Sequence, residues 1–170
     1  MQQKNILYYL IFSLFLVFFT IPCSAIENSS KLYEKGAQEA LAGNIDNAIE
    51  IFKKVIDVSP HYTLGHYGLG KAYLYKKGKL KEAIFHLKRS TDLDKKFAKG
   101  YFYLGMAYYF STKYIQAIHA FKKAYKYDET MIEALYNLSM IYDIIDKDFM
   151  AREYYRKYNR EKTRDEDFIF

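Results

Sequence analysis

The feature that most constrains the fold of this chain is a repeat with a step of 34 or 35 residues. Two series of small residues follow this step. They stay in phase with each other except in the second unit, where the turn YKKGKLK holds one extra residue. Because an insertion in a turn leaves its flanking helices intact, four copies of one unit account for most of the chain. Two sets of small residues mark the repeat: Gly36, Gly70, Gly105 and Ser139 form one, and Ala48, Ala83, Ala117 and Ala151 form the other.

Each unit has the pattern of two short helices. Apolar residues recur at intervals of three and four, which is the period of an α-helix. Turn residues such as Gly43-Asn44, Ser59-Pro60 and Lys77-Gly78 separate these stretches. We therefore predict four helix pairs, over residues 29–42 and 45–58, 62–76 and 79–92, 96–110 and 113–126, and 130–144 and 147–161.

The spacing resembles the tetratricopeptide repeat, in which W-x2-L-G-x2-Y is followed by A-x3-F and then P over about 34 residues. The third unit fits best, because Tyr101 takes the tryptophan place and is followed by Leu104, Gly105, Tyr108, Ala117 and Phe121. The resemblance covers residues 29–162 and leaves 163–170 as a tail. It implies an all-α fold, a right-handed α-solenoid of four helix pairs.

The resemblance also assigns packing roles. Small residues let the two helices of a unit approach closely, and large residues fill the space between successive units. The predicted repeat-packing residues are Gly36, Ala48, Phe52, Gly70, Tyr73, Ala83, Leu104, Gly105, Tyr108, Ala117, Phe121, Tyr142, Ala151 and Tyr155.

Residues 1–25 have the layout of a secretory signal peptide. Lys4 precedes an uncharged, mostly apolar run over 6–21, and Cys23-Ser24-Ala25 supplies small residues for cleavage after Ala25. Two alternatives are an uncleaved anchor, although the run is at the short limit for a membrane span, and lipid attachment at Cys23. We expect an exported bacterial protein, periplasmic or envelope-associated, that contacts a membrane through its N-terminus only.

Motifs for catalysis or cofactor binding are missing from the sequence. There is no glycine-rich phosphate loop, HExxH, nucleophile elbow or pair of catalytic carboxylates. His61, His66, His86 and His119 are predicted to be surface or hydrogen-bonded histidines and not metal ligands. The net charge of +6 is too diffuse to indicate nucleic-acid binding. We predict a protein that is not an enzyme, with no cofactor, metal or nucleic-acid partner.

A second aromatic face lies one residue beyond the packing positions. Since each residue advances a helix by about 100°, this offset separates the two faces. The resemblance implies that the second face lines a concave groove for partner peptides or helices, although neighbouring first helices could instead bury these rings against each other. The predicted groove residues are Tyr33, Tyr67, Lys71, Leu74, Phe102, Met106, Tyr109, Phe110, Tyr136 and Met140.

Some repeats of this family clamp the acidic C-terminus of a chaperone with lysines, asparagines and an arginine. The matching places here are Tyr33, Ala37, Gly68, Lys99 and Tyr103, of which Lys99 alone has the required chemistry. We therefore do not expect that clamp.

The sequence favours an adaptor or assembly factor of the bacterial cell envelope. Its partner would be a segment of another envelope protein, held in the aromatic groove. The alternative is a self-associating structural protein, in which the uncovered last helix and the Phe168-Ile169-Phe170 tail of one chain dock on another.

Overall fold

The computed structural model describes residues 23–167, and within them the chain forms eight α-helices and no β-strand. The predicted signal peptide and anchor lie mostly outside the described residues, as do the last three residues of the tail. No helix between residues 23 and 167 combines the length and apolar character needed to cross a bilayer. The helices are α1 (Cys23–Leu41), α2 (Ile45–Val58), α3 (Thr63–Leu74), α4 (Leu80–Leu93), α5 (Ala98–Phe110), α6 (Tyr114–Tyr127), α7 (Glu133–Ile144) and α8 (Asp148–Asp167).

The helices stack in chain order as four pairs. Within each pair the two helices pack on each other, and the second helix of one pair packs on the first helix of the next. The first helices also meet across units, since α3 contacts both α1 and α5. This arrangement is a right-handed α-solenoid with the first helices on its concave face, so the predicted fold class is confirmed.

Close contact between the helices of a pair depends on the small residues. A Cβ added to Gly36 would lie 2.8 Å from the Phe52 ring, and one added to Gly105 would lie 2.8 Å from the Phe121 ring. At Gly70 it would lie 2.9 Å from the backbone nitrogen of Leu87. These distances are shorter than any ordinary carbon contact. The alanines of the second helices, Ala48, Ala83 and Ala117, are fully buried.

The turn inside each of the four described pairs contains one residue with a positive φ. The residues are Gly43 (84°), Gly78 (77°), Thr112 (56°) and Asp146 (54°). A left-handed residue ends a helix and reverses the chain, and glycine adopts this conformation without a steric penalty. The last two units make the same turn with side chains that carry a Cβ.

Three of the predictions about the chain ends and packing need correction. α1 begins at Cys23, ahead of the predicted helix start at residue 29, and α8 continues to Asp167, past the predicted helix end at residue 161. Neither extension contains proline or glycine, so nothing stops the helix. Tyr155 is 49% exposed and does not pack as Phe52, Leu87 and Phe121 do, because no further helix follows α8 within residues 23–167.

Candidate functional site

The concave face holds a pocket between α1, α3 and the start of α5, with a volume of about 590 Å³. Phe52, Leu64 and Tyr67 contribute to its apolar lining, and Tyr33 comes from α1. Gly68 on α3 also lines it, and a Cβ there would lie 2.6 Å from the Phe52 ring. The volume lies within the range of protein sites that hold a small ligand or a few side chains.

Large apolar side chains are exposed to solvent around this pocket. Leu41 at the end of α1 is 89% exposed, and Tyr75, just after α3, is 65% exposed. Phe97, in the turn before α5, is half-buried beside them. Exposed apolar groups that border a concave surface mark contact sites in soluble proteins.

The charge of the pocket is positive. Lys71 of α3 and Lys99 of α5 are the charged residues among those described that line it, and no carboxylate joins them. The Lys71 ammonium lies 4.8 Å from the centre of the Tyr103 ring, a cation–π distance that holds this side chain over the concave face. The pocket therefore offers an apolar interior and two cations.

Two tyrosines of the pocket, Tyr33 and Tyr67, pack against other rings. Tyr67 is 7% exposed, and its ring centre lies 5.1 Å from that of Phe97 and 5.6 Å from that of Tyr103. Burial raises the pKa of the Tyr67 phenol far above its ordinary value. Burial also raises the pKa of Tyr33, whose ring lies 5.6 Å from Phe52. Both phenols stay protonated at physiological pH.

Comparisons with known families agree with this architecture. Residues 41–62 and 98–130 each match a tetratricopeptide repeat family, and residues 74–110 match a TPR repeat family. The three matches support the resemblance seen in the sequence. A comparison of the sequence with curated proteins gives no match.

Solved tetratricopeptide structures share the fold. A crystal structure of MamA has a TM-score of 0.78 at 24% identity, covering 82% of this chain and 81% of that one. MamA 41-end from Desulfovibrio magneticus RS-1 gives 0.73 at 26% identity, covering 81% and 77%. The first TPR of Spaghetti (RPAP3), solved with the HSP90 peptide SRMEEVD, gives 0.68 at 22% identity, covering 71% and 94%.

The structure does not bring the ten predicted groove residues into one surface. Tyr33, Tyr67 and Lys71 line the pocket, but Tyr67 is buried in its wall and is not an exposed ring. The alternative prediction, in which neighbouring first helices bury these rings, therefore describes Tyr67 better. Leu74 is half-buried against the core of the second and third units.

The remaining predicted groove residues lie further along the solenoid. Phe102 packs on Phe121, with ring centres 5.5 Å apart, and Met106 and Tyr109 are half-buried against the same core cluster. The fold uses these three side chains, contrary to the expectation that they were free for a partner. Those with large exposed fractions are Phe110 (52%), Tyr136 (42%) and Met140 (40%).

Sequence reasoning missed several residues of the pocket. Leu41 is the last residue of α1, Tyr75 directly follows α3, and Phe97 comes from a turn. Helical periodicity carries no information about turns, so Phe97 could not be found in this way. The sequence pattern places Lys99 only at a clamp position and not in an apolar pocket.

Two histidines that are distant in sequence meet between α3 and α4. The Nδ1 atoms of His66 and His86 are 3.1 Å apart, and the rings stack with centres at 5.3 Å. His66 Nε2 lies 3.2 Å from the Pro60 carbonyl oxygen and donates to it, so the His66 Nδ1 accepts from His86. Within residues 23–167, no group of three or more His, Cys, Asp or Glu residues could hold a metal ion.

Proposed function

We propose that this chain is a non-enzymatic adaptor that binds a segment of another protein in the pocket between α1, α3 and α5. The observation that carries the proposal is the apolar pocket of about 590 Å³ bordered by the exposed side chains Leu41 and Tyr75. A peptide segment suits this site because a few apolar side chains can enter it while their backbone remains outside.

The tetratricopeptide neighbours support a peptide as the ligand. The RPAP3 domain, which shares the fold, was solved with a bound HSP90 peptide. Four of the five places matching the family's clamp, Tyr33, Ala37, Gly68 and Lys99, line the pocket here, but three of them carry no charge. The proposed ligand is therefore held mainly by apolar contacts.

We place this adaptor in the bacterial cell envelope. The support is the layout of residues 1–25, in which a lysine, an apolar run and small residues follow one another as in an export signal. The proposed partner is another envelope protein.

Crosslinking from inside and outside the pocket tests the proposal. Tyr75 and Phe85 are both 65% exposed, but Tyr75 lines the pocket and Phe85 lies outside it on α4. With a photo-crosslinking phenylalanine analogue at each position in turn, position 75 should capture a defined partner in cells and position 85 should not. Equal crosslinking from both positions contradicts the proposal.

Binding measurements with the identified partner give the second readout. We expect Leu41→Ser and Tyr75→Ser each to weaken binding about tenfold or more, because each removes a large apolar side chain that the partner would bury. Phe85→Ser is the matched control and should bind normally. Phe102 and Tyr109 are unsuitable for this test, because they pack against the core and their removal affects folding.

A second candidate function, a self-associating structural protein, is favoured by the exposed side of α8. There Phe149 is 70% and Tyr155 is 49% exposed. If this side is the interface, replacing both residues with serine abolishes association while the pocket variants keep it.

A further inference from the structure

We infer that the pocket between α1, α3 and α5 receives residues 165–170 of a second copy of this chain, so that copies associate head to tail. The inference rests on the proposed function, because it names a partner for the same pocket.

The chemistry of the segment matches that of the pocket. Residues 165–167 are Asp-Glu-Asp, and residues 168–170 are Phe-Ile-Phe. The pocket pairs an apolar lining with Lys71 and Lys99, and no carboxylate lines it among the described residues. Apolar side chains of the segment can fill the interior while its acids face the two cations. The apolar run over residues 6–21 contains no acid, so it lacks this complementarity.

The segment cannot reach the pocket of its own chain. α8 is helical through Asp167, and the three residues that follow extend about 11 Å at most. α8 packs on α7 of its own unit, whereas the pocket is built by helices of the first three units. A pocket in another copy is therefore the one this segment can occupy.

The last turns of α8 are held in place. Glu161 is 7% exposed and forms an ion pair with Arg164, with 3.0 Å between Oε2 and Nη2. Lys157 lies 4.3 Å from the centre of the Tyr125 ring, and the rings of Tyr158 and Tyr136 are 5.5 Å apart. These contacts fix the direction in which the chain leaves α8, so little orientational freedom is lost when the segment binds.

Head-to-tail association has a defined consequence for assembly. The pocket and the segment are different surfaces, so a bound pair still has one free pocket and one free segment. Assemblies therefore grow with concentration or close into rings. Six residues form a small interface, so we expect a weak contact with a Kd on the order of tens of micromolar.

Complementary variants test the inference in the full chain. One variant loses the cations of the pocket (Lys71→Glu with Lys99→Glu), and the other loses the rings of the segment (Phe168→Ser with Phe170→Ser). By light scattering, the unaltered protein should gain mass with concentration and each variant should remain monomeric. An equimolar mixture should form pairs and nothing larger, because one intact pocket meets one intact segment.

Two results with these variants would overturn the inference, and a control variant supplies a third. One is association of either folded variant at the level of the unaltered protein, with folding verified by circular dichroism. The other is a folded mixture that stays monomeric. The control Phe149→Ser with Tyr155→Ser should associate normally, and loss of association in that variant would place the contact on α8 instead.

A peptide separates this inference from the proposed function. A labelled peptide of residues 163–170, amidated at its C-terminus, should bind the pocket, and its Asn/Gln analogue at positions 165–167 should bind about tenfold more weakly. Added salt should reduce the difference in affinity between the two peptides, because it screens the attraction between the acids and the lysines. If the peptide does not bind while position 75 crosslinks a different protein, the inference fails and the proposed function stands. If the peptide does not bind and position 75 crosslinks no protein, both the inference and the proposed function fail.

Discussion

At Gly70, one missing methyl group sets the distance between α3 and α4. A Cβ at this position would lie 2.7 Å from Leu87 Cγ and 2.9 Å from the Leu87 backbone nitrogen. A side-chain atom can move by rotation, but the backbone nitrogen moves only if α4 moves as a whole. Gly70 is therefore a packing requirement of the second unit.

We predict that Gly70→Ala destabilises the protein, although alanine is the better helix former. Overpacking costs about 1 to 3 kcal/mol, and the gain in helix propensity offsets about 1 kcal/mol of it. Because the clash includes a backbone atom, we expect the upper part of the overpacking range, about 2 to 3 kcal/mol, and the resulting net loss of about 1 to 2 kcal/mol in the free energy of unfolding should be measurable by urea denaturation.

Ser139→Ala is the matched control, because the fourth unit already carries a Cβ at the equivalent position. It removes a hydroxyl that donates to the Tyr136 carbonyl oxygen at 2.7 Å, so its cost should stay at about 1 kcal/mol or less. An unchanged stability of Gly70→Ala would contradict the packing argument.

Single residues also show where sequence reasoning reaches its limit. The recurrence of Gly36, Gly70 and Gly105 predicted the close helix contacts within the first three units. A position that is small in successive copies indicates a packing requirement that the copies share. The sequence left open whether Tyr67 is free or buried, since its burial depends on Phe97 and Tyr103, which approach it from the next unit. Helical periodicity gives the direction of a side chain but not what a neighbouring unit places in front of it.

Between elements, the paired histidines make the α3–α4 contact sensitive to pH. Burial and the neighbouring His66 lower the pKa of His86 to about 4, and burial lowers the pKa of His66 from 6.5. Glu82 near His86 opposes this shift, while Arg89 and His61 near His66 reinforce it. Protonating both rings would break the Nδ1 to Nδ1 hydrogen bond.

We predict that the free energy of unfolding falls as the pH drops from 6.5 towards 4. In this window the unfolded chain binds protons that the folded chain does not, so protonation favours unfolding. His86 alone should contribute about 2 kcal/mol of loss at about pH 5 relative to neutral pH. Urea denaturation at both pH values measures this difference.

The variant His86→Asn isolates the contribution of the pair. Asparagine keeps a donor near the Nδ1 position but does not titrate, so the loss of stability on acidification should shrink. Protonation of carboxylates is common to both proteins and cancels in the comparison. His119→Asn, at an exposed site on α6, should leave the loss unchanged. The same pH dependence in His86→Asn would refute the explanation.

The boundaries of the elements were predicted best where the repeat supplied turn residues. α2 was predicted at its observed limits, between Gly43-Asn44 and Ser59-Pro60. The start of α1 and the end of α8 were not, because no proline or glycine lies within either extension and no neighbouring copy repeats the signal. The left-handed backbone conformation of Thr112 and Asp146 could not be predicted either, since neither residue type requires that conformation.

In the whole molecule, the contribution of a packing residue to stability depends on whether another unit follows its own unit. A solenoid is stabilised by contacts between neighbouring units, so equivalent residues in the middle and at the end differ. Leu87 in the second unit is fully buried against the third, whereas Tyr155 in the fourth unit is 49% exposed. The repeat pattern alone assigns the two residues the same role.

We predict that Leu87→Ala and Tyr155→Ala differ several-fold in their effect on stability. Leu87→Ala leaves a cavity between two units and should cost about 2 to 5 kcal/mol. Tyr155→Ala removes a ring that is half in solvent and should cost less than about 1 kcal/mol. Urea denaturation of dilute protein, below the concentration at which copies associate, measures both costs on the isolated solenoid. Equal costs would mean that the exposed side of α8 is covered in solution, and the last unit would then have a neighbour that residues 23–167 do not provide.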